Sequence, residues 1–283
     1  MGKQMAANLM RSGYKLVVFN RNKEPIDEFS SVGAIAVKSP KEVAKRSDVV
    51  IDMVTDAPDV EQVLLGKNGV TEGVRKGLVV IDMSTNSPSF ARSTFSKLAE
   101  HGVEFLDAPV SGGDQGARAG TLTIMVGGKK NVFQRCEPIL KSMGKEIVYM
   151  GASGSGQATK LCNQVAVSIH TLATCEALLL GSSEGLDLND LLKVLTAGAA
   201  ASWNLTNLGP KIVQRDFEPG FKAAHLSKDL RYVMQLSEAN HVSLPGSSVV
   251  YELFNSVLAQ GNGAKGTQVL AKVLEKLASR EIR

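Results

Sequence analysis

The chain has 283 residues, of which 43% are hydrophobic and 21% are charged. This is an ordinary globular composition, and it excludes a disordered or fibrous chain. The net charge of +4 arises from 32 basic and 28 acidic residues that are interleaved, so no basic block predicts nucleic-acid binding. A mild positive charge suits an anionic ligand, such as a phosphorylated cofactor or a small carboxylate substrate.

The cysteines Cys136, Cys162 and Cys175 are odd in number and lack the CxxC or CxxH spacing of metal sites. Their pattern predicts a reducing compartment and no metal centre. No apolar stretch reaches the roughly 18 residues of a membrane span, and no leader with a cleavage site opens the chain. We therefore expect a cytoplasmic protein with no membrane partner.

The chain opens on MGKQMAANL, which is typical of the start of a helix. In a dinucleotide-binding Rossmann-type fold, the motif GxGxxG ends the first strand and opens the first helix. Gly2, beside Met1, fits the last glycine of that motif, and the first strand and two glycines are then missing. A helix that simply begins at the chain start explains one glycine equally well, but the strands downstream favour the Rossmann-type interpretation.

Short β-rich runs alternate with amphipathic stretches from Lys15 to Met150. The runs are LVVF, DVVIDMV, LVVIDMS, VEFLDAP, TLTIMV and EIVYM. Apolar strands separated by helices predict a parallel sheet that is covered on both faces. We expect a doubly wound α/β domain of the Rossmann type over residues 1–152.

The β-rich runs stop after Gly151, and helical patterns take their place. One long helix is predicted over residues 157–185, followed by helices over 188–196, 227–239, 246–259 and 266–279. Residues 153–283 should therefore form an all-helical domain. Because the long helix is too apolar to be covered by its own domain, we expect it to contact a second copy in a homodimer or homotetramer.

Asn20 and Arg21 follow the LVVF strand, where a dinucleotide fold contacts the adenosine ribose. Enzymes that use NAD usually place a carboxylate here, which would repel the 2′-phosphate of NADP, whereas an arginine attracts it. The sequence therefore predicts NADP as the cofactor, with NAD possible. An exposed polar turn is the competing interpretation.

Two glycine-rich segments carry candidate chemistry. Ser111, Gly112 and Gly113 follow a strand, and such a tripeptide lets backbone N–H groups and a hydroxyl approach a carboxylate, although an empty tight turn has the same pattern. The run GASGSGQATKLCNQ leads into the long helix, where Lys160, Asn163 and Gln164 share one face. Burial and a cationic nicotinamide would lower the pKa of Lys160 toward that of a proton acceptor, whereas a first-turn lysine in solvent is the ordinary alternative.

Together these motifs resemble the β-hydroxyacid dehydrogenase family, which includes 3-hydroxyisobutyrate dehydrogenase, tartronate semialdehyde reductase and NADP-dependent serine dehydrogenases. The resemblance extends over essentially the whole chain, through MGKQMAANL, DMST, DAPVSGG, GTLTIMVGG, GSGQATKLCNQ and the late HLSKDL. It implies that Lys160 is the catalytic acid/base and that Ser111, Gly112 and Gly113 hold the substrate carboxylate. Either Asn163 or Gln164 would orient the substrate.

The resemblance also implies a set of cofactor contacts and a reaction. Val54, Thr55, Thr85 and Lys228 would lie near the nicotinamide, and Arg21 near the adenosine phosphate. The reaction would interconvert a small 3-hydroxy acid and its semialdehyde, with the hydroxy acid of the 3-hydroxyisobutyrate, glycerate, 4-hydroxybutyrate or serine type.

Two alternatives remain. Decarboxylating relatives of 6-phosphogluconate dehydrogenase carry a Lys-x-x-His-Asn run, and the histidine is absent here. A non-catalytic NADP-binding module on the same fold would keep cofactor binding without turnover.

Overall fold

The computed structural model describes residues 1–283, apart from the side chain of Lys23. It divides the chain into two compact units, Met1–Lys160 and Leu161–Arg283. The sequence placed this division between residues 152 and 153. The later position assigns the glycine-rich run and the first turns of the long helix to the first unit.

The strands of the first unit form two sheets. They are β1 (Val17–Val18), β2 (Ile35–Ala36), β3 (Val49–Asp52), β4 (Val79–Asp82), β5 (Glu104–Asp107), β6 (Val110–Ser111), β7 (Leu122–Gly128) and β8 (Gly144–Gly151). Strands β1 and β2 form a parallel pair, and the others form a sheet of order β3-β4-β5-β7-β6 with β8 beside β7. The predicted doubly wound α/β class is confirmed.

The sheet departs from the predicted parallel arrangement in two places. Strands β3, β4 and β5 are mutually parallel, as are β7 and β8, but β7 runs antiparallel to both β5 and β6. The sheet is therefore predominantly parallel, as predicted, with antiparallel contacts at β7. The antiparallel contacts arise because the chain reverses between β6 and β7, through the short helix Gly113–Ala119.

Seven helices lie between these strands or precede them. They are α1 (Gly2–Arg11), α2 (Lys23–Ser31), α3 (Pro40–Arg46), α4 (Ala57–Leu65), α5 (Pro88–Glu100), α6 (Gly113–Ala119) and α7 (Lys130–Lys141), with a 3-10 helix at Val70–Gly73. Three of them begin at a residue whose side chain accepts a backbone N–H, namely Ser39, Asp56 and Ser87. Each of these caps is followed by a proline in the first two helical positions, which also favours a helix start.

The interior strand β4 is buried on both faces, which defines the two layers that cover the sheet. Val79 and Ile81 belong to a cluster with Met5 and Leu140, from α1 and α7. Val80 belongs to a second cluster, with side chains from α3, α4 and α5. Because side chains alternate along a strand, these clusters lie on opposite faces of the sheet.

The second unit is helical. It contains most of α8 (Ser155–Ser183), then α9 (Leu188–Ala197), α10 (Trp203–Asn207), α11 (Gly209–Val213), α12 (Ala223–Ala239), α13 (Pro245–Ala259) and α14 (Leu270–Ala278), with a 3-10 helix at Thr267–Val269. Sequence reasoning missed α10 and α11 because five-residue helices beside a Gly-Pro pair give no helical period. Leucine, valine and phenylalanine side chains of these helices form one core.

Helix α8 is long and apolar enough to cross a membrane by length and composition, with a mean hydropathy of 1.4 over its most apolar window. The expectation that no stretch would reach this length was therefore wrong. Uninterrupted apolar runs in this helix are short, but the mean hydropathy over 18 residues remains high despite the interspersed Ser, Thr and Gln. Core helices of soluble proteins pass the same criterion, and 33% of this window is buried.

Candidate active site

Three aspartates end adjacent parallel strands in exact register. Asp52 of β3 pairs with Asp82 of β4, and Asp82 pairs with Asp107 of β5. All three side chains are buried. The carboxyl ends of parallel strands in a doubly wound sheet form the edge at which ligands bind. These aspartates therefore mark the candidate active-site edge of the first unit.

Asp107 holds the start of α8 against this edge. Its carboxylate accepts hydrogen bonds from the backbone N–H of Gly154 at 2.8 Å and of Gln157 at 3.0 Å. Burial raises the pKa of Asp107 to about 6, although those two N–H groups lower it. A carboxylate facing two backbone donors fixes the position of the first turn of the helix.

Gln157 joins the same turn to the loop after β4. Its fully buried side chain donates to the carbonyl of Ser84 at 2.8 Å and accepts from the N–H of Asn86 at 2.9 Å. The amide nitrogen and the amide oxygen of Gln157 thus both bind the backbone of the loop after β4. The side-chain amide replaces the partners that Ser84 and Asn86 would find in a longer sheet.

Close approach of the backbone requires glycine in this turn. A Cβ atom on Gly156 would lie 2.4 Å from the carbonyl oxygen of Met125 and 2.6 Å from that of Asp107. The glycine-rich run is therefore fitted to the ends of β5 and β7, and it does not act as a free linker.

Lys160 follows Gln157 by three residues, so it lies about one helical turn further along α8. The side chain is 7% exposed. A lysine is almost never this buried without a specific interaction, and the alternative of a solvent-facing first-turn lysine does not describe it. The hydrogen bonds of Asp107 and Gln157 hold the helical turn that precedes Lys160.

Val54, Thr55 and Thr85 lie on the loops that follow β3 and β4. The Val54 N–H donates to the Ser84 hydroxyl oxygen at 2.9 Å, which joins the two loops. Thr55 is exposed and Thr85 is half-buried. The structure thus brings these three predicted cofactor contacts to one edge of the sheet.

Ser111 ends β6, and Gly112 and Gly113 lead into α6. Gly112 has φ 127° and Gly113 has φ 61°, so both occupy conformations that side chains disfavour. A Cβ atom on Gly112 would also lie 3.2 Å from Leu122 Cδ2. The glycine pair is therefore required by the backbone path, which leaves Ser111 half-buried beside the turn.

The chain start and the segment after β1 supply the remaining predicted cofactor residues. Met1 precedes α1, and Gly2 opens it. A Cβ atom on Gly2 would lie 3.4 Å from that of Met53, next to the end of β3. Asn20 and Arg21 are exposed, and the Arg21 guanidinium contacts Asp59 at 3.1 Å.

In the second unit, Gln164 lies inside a polar chain of contacts. Its amide nitrogen donates to Asp229 at 2.6 Å, and its oxygen accepts from Asn163 at 2.8 Å. Asp229 also contacts the Lys228 ammonium at 3.3 Å. Gln164 is 1% exposed, whereas Asn163 is half-buried. Both amide atoms of the Gln164 side chain therefore bind other side chains of the protein.

Sequence reasoning missed Asp52, Asp82, Gln157 and Asp229 as parts of these arrangements. The signal for the first two was an aspartate closing each of two consecutive VVID runs. Gln157 stood in a noted motif, but its partners lie more than 70 residues earlier in the chain. Asp229 lies 65 residues from Gln164, and no local pattern joins them.

Comparison with known proteins covers the whole chain. Residues 1–151 match the model of the NAD binding domain of 6-phosphogluconate dehydrogenase, and residues 154–274 match that of the NAD-binding region of NADP-dependent 3-hydroxyisobutyrate dehydrogenase. The 2-hydroxy-3-oxopropionate reductase of Escherichia coli is 40% identical over 100% of this chain and 96% of its own length.

Two further proteins have similar sequences and folds. The NAD-dependent L-serine dehydrogenase of Pseudomonas aeruginosa is 33% identical over 97% of this chain and 95% of its own length. A Mycobacterium tuberculosis 3-hydroxyisobutyrate dehydrogenase, solved with L-serine, has a TM-score of 0.87 at 30% identity and covers 97% of this chain and 95% of that one. The chain therefore belongs to the β-hydroxyacid dehydrogenase family, whose members are NAD(P)-dependent oxidoreductases.

Proposed function

We propose that the protein interconverts a small 3-hydroxy acid and its semialdehyde with NADP(H), and that Lys160 is the acid/base group. The observation that carries this proposal is the buried position of Lys160, one turn after a Gln157 side chain that is fixed to the loop after β4. The candidate hydroxy acids are 3-hydroxyisobutyrate, glycerate, 4-hydroxybutyrate and serine.

The residues around the sheet edge fit a nicotinamide dinucleotide. No carboxylate follows β1 within the Asn20-Arg21-Asn22 segment, and threonines with accessible surface follow β3 and β4. Thr55 and Thr85 offer hydroxyls, and Val54 holds the first loop against the second through Ser84. When bound, the nicotinamide accepts or supplies the hydride. Met1, Gly2 and Lys228 complete the proposed cofactor contacts, on the strength of the family resemblance.

Lys160 moves the proton. In the oxidative direction its neutral amine accepts the proton of the substrate hydroxyl as the hydride leaves the carbon that bears this hydroxyl. In the reductive direction the ammonium donates to the carbonyl oxygen, which stabilises the negative charge that develops there. Burial favours both steps because it excludes competing water and strengthens the charge interaction.

Ser111, Gly112 and Gly113 bind the substrate carboxylate in this proposal. The positive φ angles at both glycines turn the backbone sharply, and turns of this kind aim successive N–H groups at an anion. Asn163, one turn after Lys160 on α8, orients the substrate. We assign this role to Asn163, because Gln164 is 1% exposed and both of its amide atoms are hydrogen-bonded, whereas Asn163 is half-buried and uses only its amide nitrogen in that contact.

The preference for NADP rests on Arg21. Its guanidinium is 73% exposed and contacts Asp59 in a surface ion pair of the kind that contributes about 0–1 kcal/mol. A 2′-phosphate can replace that partner at little cost, because a charge-assisted contact to phosphate is stronger. Arg21→Asp should therefore shift the ratio of kcat/KM values from NADP toward NAD.

A second copy of the chain is the proposed partner of α8. Exposed positions on this helix follow a spacing of four and three residues, as a helix-packing seam requires: Cys162, Ala166, Ile169, Ala173, Glu176 and Leu180. Leu180 is 67% exposed. We infer a homodimer or homotetramer, and light scattering should show dissociation in Leu180→Glu. A wild-type monomer at micromolar concentration would remove this proposal.

We also propose a cytoplasmic location, because all three cysteines are free. Burial raises the pKa of the Cys136 and Cys175 thiols, which keeps both in the unreactive protonated form. Such thiols suit a reducing compartment.

The deciding experiment measures kcat/KM for the four candidate hydroxy acids with NADP and with NAD. We expect turnover of at least one of them, with the larger value for NADP. Cofactor binding without oxidation of any compound would favour the non-catalytic binding module.

A further inference from the structure

Asp52 and Asp82 present two buried carboxyl groups to each other across adjacent strands. Asp82 Oδ1 accepts from the Ser84 N–H at 2.8 Å, and Asp82 Oδ2 accepts from the Asn86 side-chain amide at 2.9 Å. Asp52 Oδ1 accepts from the Ser84 hydroxyl at 3.3 Å. The second oxygen, Asp52 Oδ2, is buried without a donor.

Two ionised carboxylates cannot hydrogen-bond to each other, since each offers only acceptors. A proton on Asp52 Oδ2 gives this buried oxygen a hydrogen-bond partner, because the new O–H group donates to Asp82. The same proton removes the repulsion between two ionised carboxylates. Asp82 already receives two N–H donors, so it is the better site for the negative charge.

We propose that Asp52 and Asp82 share one proton, held on Asp52, and that this pair is a positioning element for the two cofactor loops. Asp52 supports the Ser84 hydroxyl, and the Ser84 oxygen in turn accepts the Val54 N–H at 2.9 Å. Asp82 holds the Ser84 backbone and the Asn86 side chain. One proton therefore fixes both loops to each other.

The charges around the pair agree with this assignment. Burial is the main cause that raises the pKa of Asp52 well above its ordinary value, and the charge of Asp82 and its hydrogen bond raise it further. Burial also raises the pKa of Asp82, whereas hydrogen bonds from Asp52, Ser84 and Asn86 lower it. The charge of Asp82 is one of the causes that raise the pKa of Asp107, the next carboxyl along the sheet edge, which agrees with a negative charge on Asp82.

The proton has a measurable effect on stability. Because the folded state holds a proton that the unfolded chain releases near pH 4, stability from this group is fully present below that pH. It falls as the pH rises toward the folded pKa of Asp52. Over this range the unfolding constant should increase by up to about tenfold per pH unit from this group.

The test compares wild type with Asp52→Asn, whose amide donates to Asp82 and accepts from Ser84 but cannot titrate. Urea unfolding from pH 5 to 8 should show a smaller increase of the unfolding constant with pH in D52N than in wild type. Asp48→Asn is the matched control, since Asp48 lies at the other end of β3 and is 94% exposed. D48N should follow wild type. An equal pH dependence in wild type and D52N would overturn the shared proton.

The positioning role rests on the proposed cofactor site, and it has a separate readout. The dissociation constant of NADPH, measured by fluorescence without turnover, should increase with pH more steeply in wild type than in D52N. If D52N flattens the stability profile but both proteins bind NADPH with the same pH dependence, the positioning role is wrong. Absence of NADPH binding at any pH would instead overturn the proposed function and leave the unfolding test of the proton intact.

Discussion

Replacement of Gln157 by methionine tests whether its side chain holds the start of α8 in place. Methionine has nearly the same length and can fill the same buried volume, but it offers neither the donor nor the acceptor. The Ser84 carbonyl and the Asn86 N–H, bonded at 2.8 and 2.9 Å, then lose their partners inside the protein. Each unsatisfied buried group costs about 1–3 kcal/mol, so the free energy of unfolding should fall by about 2–6 kcal/mol.

The same substitution should lower turnover through Lys160, one turn further along the helix. A displacement of about 1 Å in a reacting group can reduce the rate by about 100-fold. We therefore expect a decrease in kcat of up to that size, while the dissociation constant of the cofactor changes much less.

Urea unfolding followed by circular dichroism measures the stability change, and steady-state kinetics measures kcat. Gln134→Met is the matched control, because Gln134 is exposed on α7. It should stay within about 0.5 kcal/mol of wild type. A Q157M protein that is equally close to wild type in stability and in kcat would refute the positioning argument.

Three other predictions concern Asp107, Gly112 and Gln164. Burial raises the pKa of Asp107 from 3.8 to about 6, so its protonated form stabilises the fold fully below about pH 4, and this stabilisation of about 3 kcal/mol is lost as the pH rises through about 6. Asp107→Asn should remove this part of the pH dependence of urea unfolding. An unchanged pH profile in the variant would contradict the prediction. Gly112→Ala should lower the free energy of unfolding by about 1–3 kcal/mol and raise the KM of the carboxylate substrate, since Gly112 has φ 127°. Gly13→Ala is the control for backbone strain alone, because Gly13 has φ 87° and no atom lies within 4 Å of the added Cβ. This control should leave KM unchanged. Gln164→Met should lower the free energy of unfolding by about 1.5–3 kcal/mol, because it removes a hydrogen bond to the buried Asp229 carboxylate; thermal unfolding at the wild-type temperature would mean that this bond contributes nothing.

The fold class could be predicted from the sequence because its strands are rich in β-branched residues. The VVID runs of β3 and β4 are unmistakable, and the stop of such runs after Gly151 marked the change to helices. Strand β2, only Ile35–Ala36, was missed because two residues give no period. The reversal of β7 depends on the path of the chain through α6, which strand patterns do not encode.

The site was predicted as a set of segments but not as a network. Lys160 could be named because it stands in a motif, and its burial agrees with the role proposed for it. The contacts that hold it in place could not be predicted, since Gln157 and its partners Ser84 and Asn86 are far apart in sequence. The choice between Asn163 and Gln164 likewise depends on Asp229, which only the folded second unit brings to Gln164.

The central claim, that Lys160 is the acid/base group of a nicotinamide-dependent dehydrogenase, is tested most directly by Lys160→Met in single-turnover kinetics. Loss of general acid–base catalysis should slow hydride transfer by about 10²–10⁴-fold at saturating substrate, with the NADPH dissociation constant nearly unchanged. The exposed Lys145→Met serves as the control and should react like wild type. Hydride transfer in K160M within a few-fold of the wild-type rate would contradict the claim.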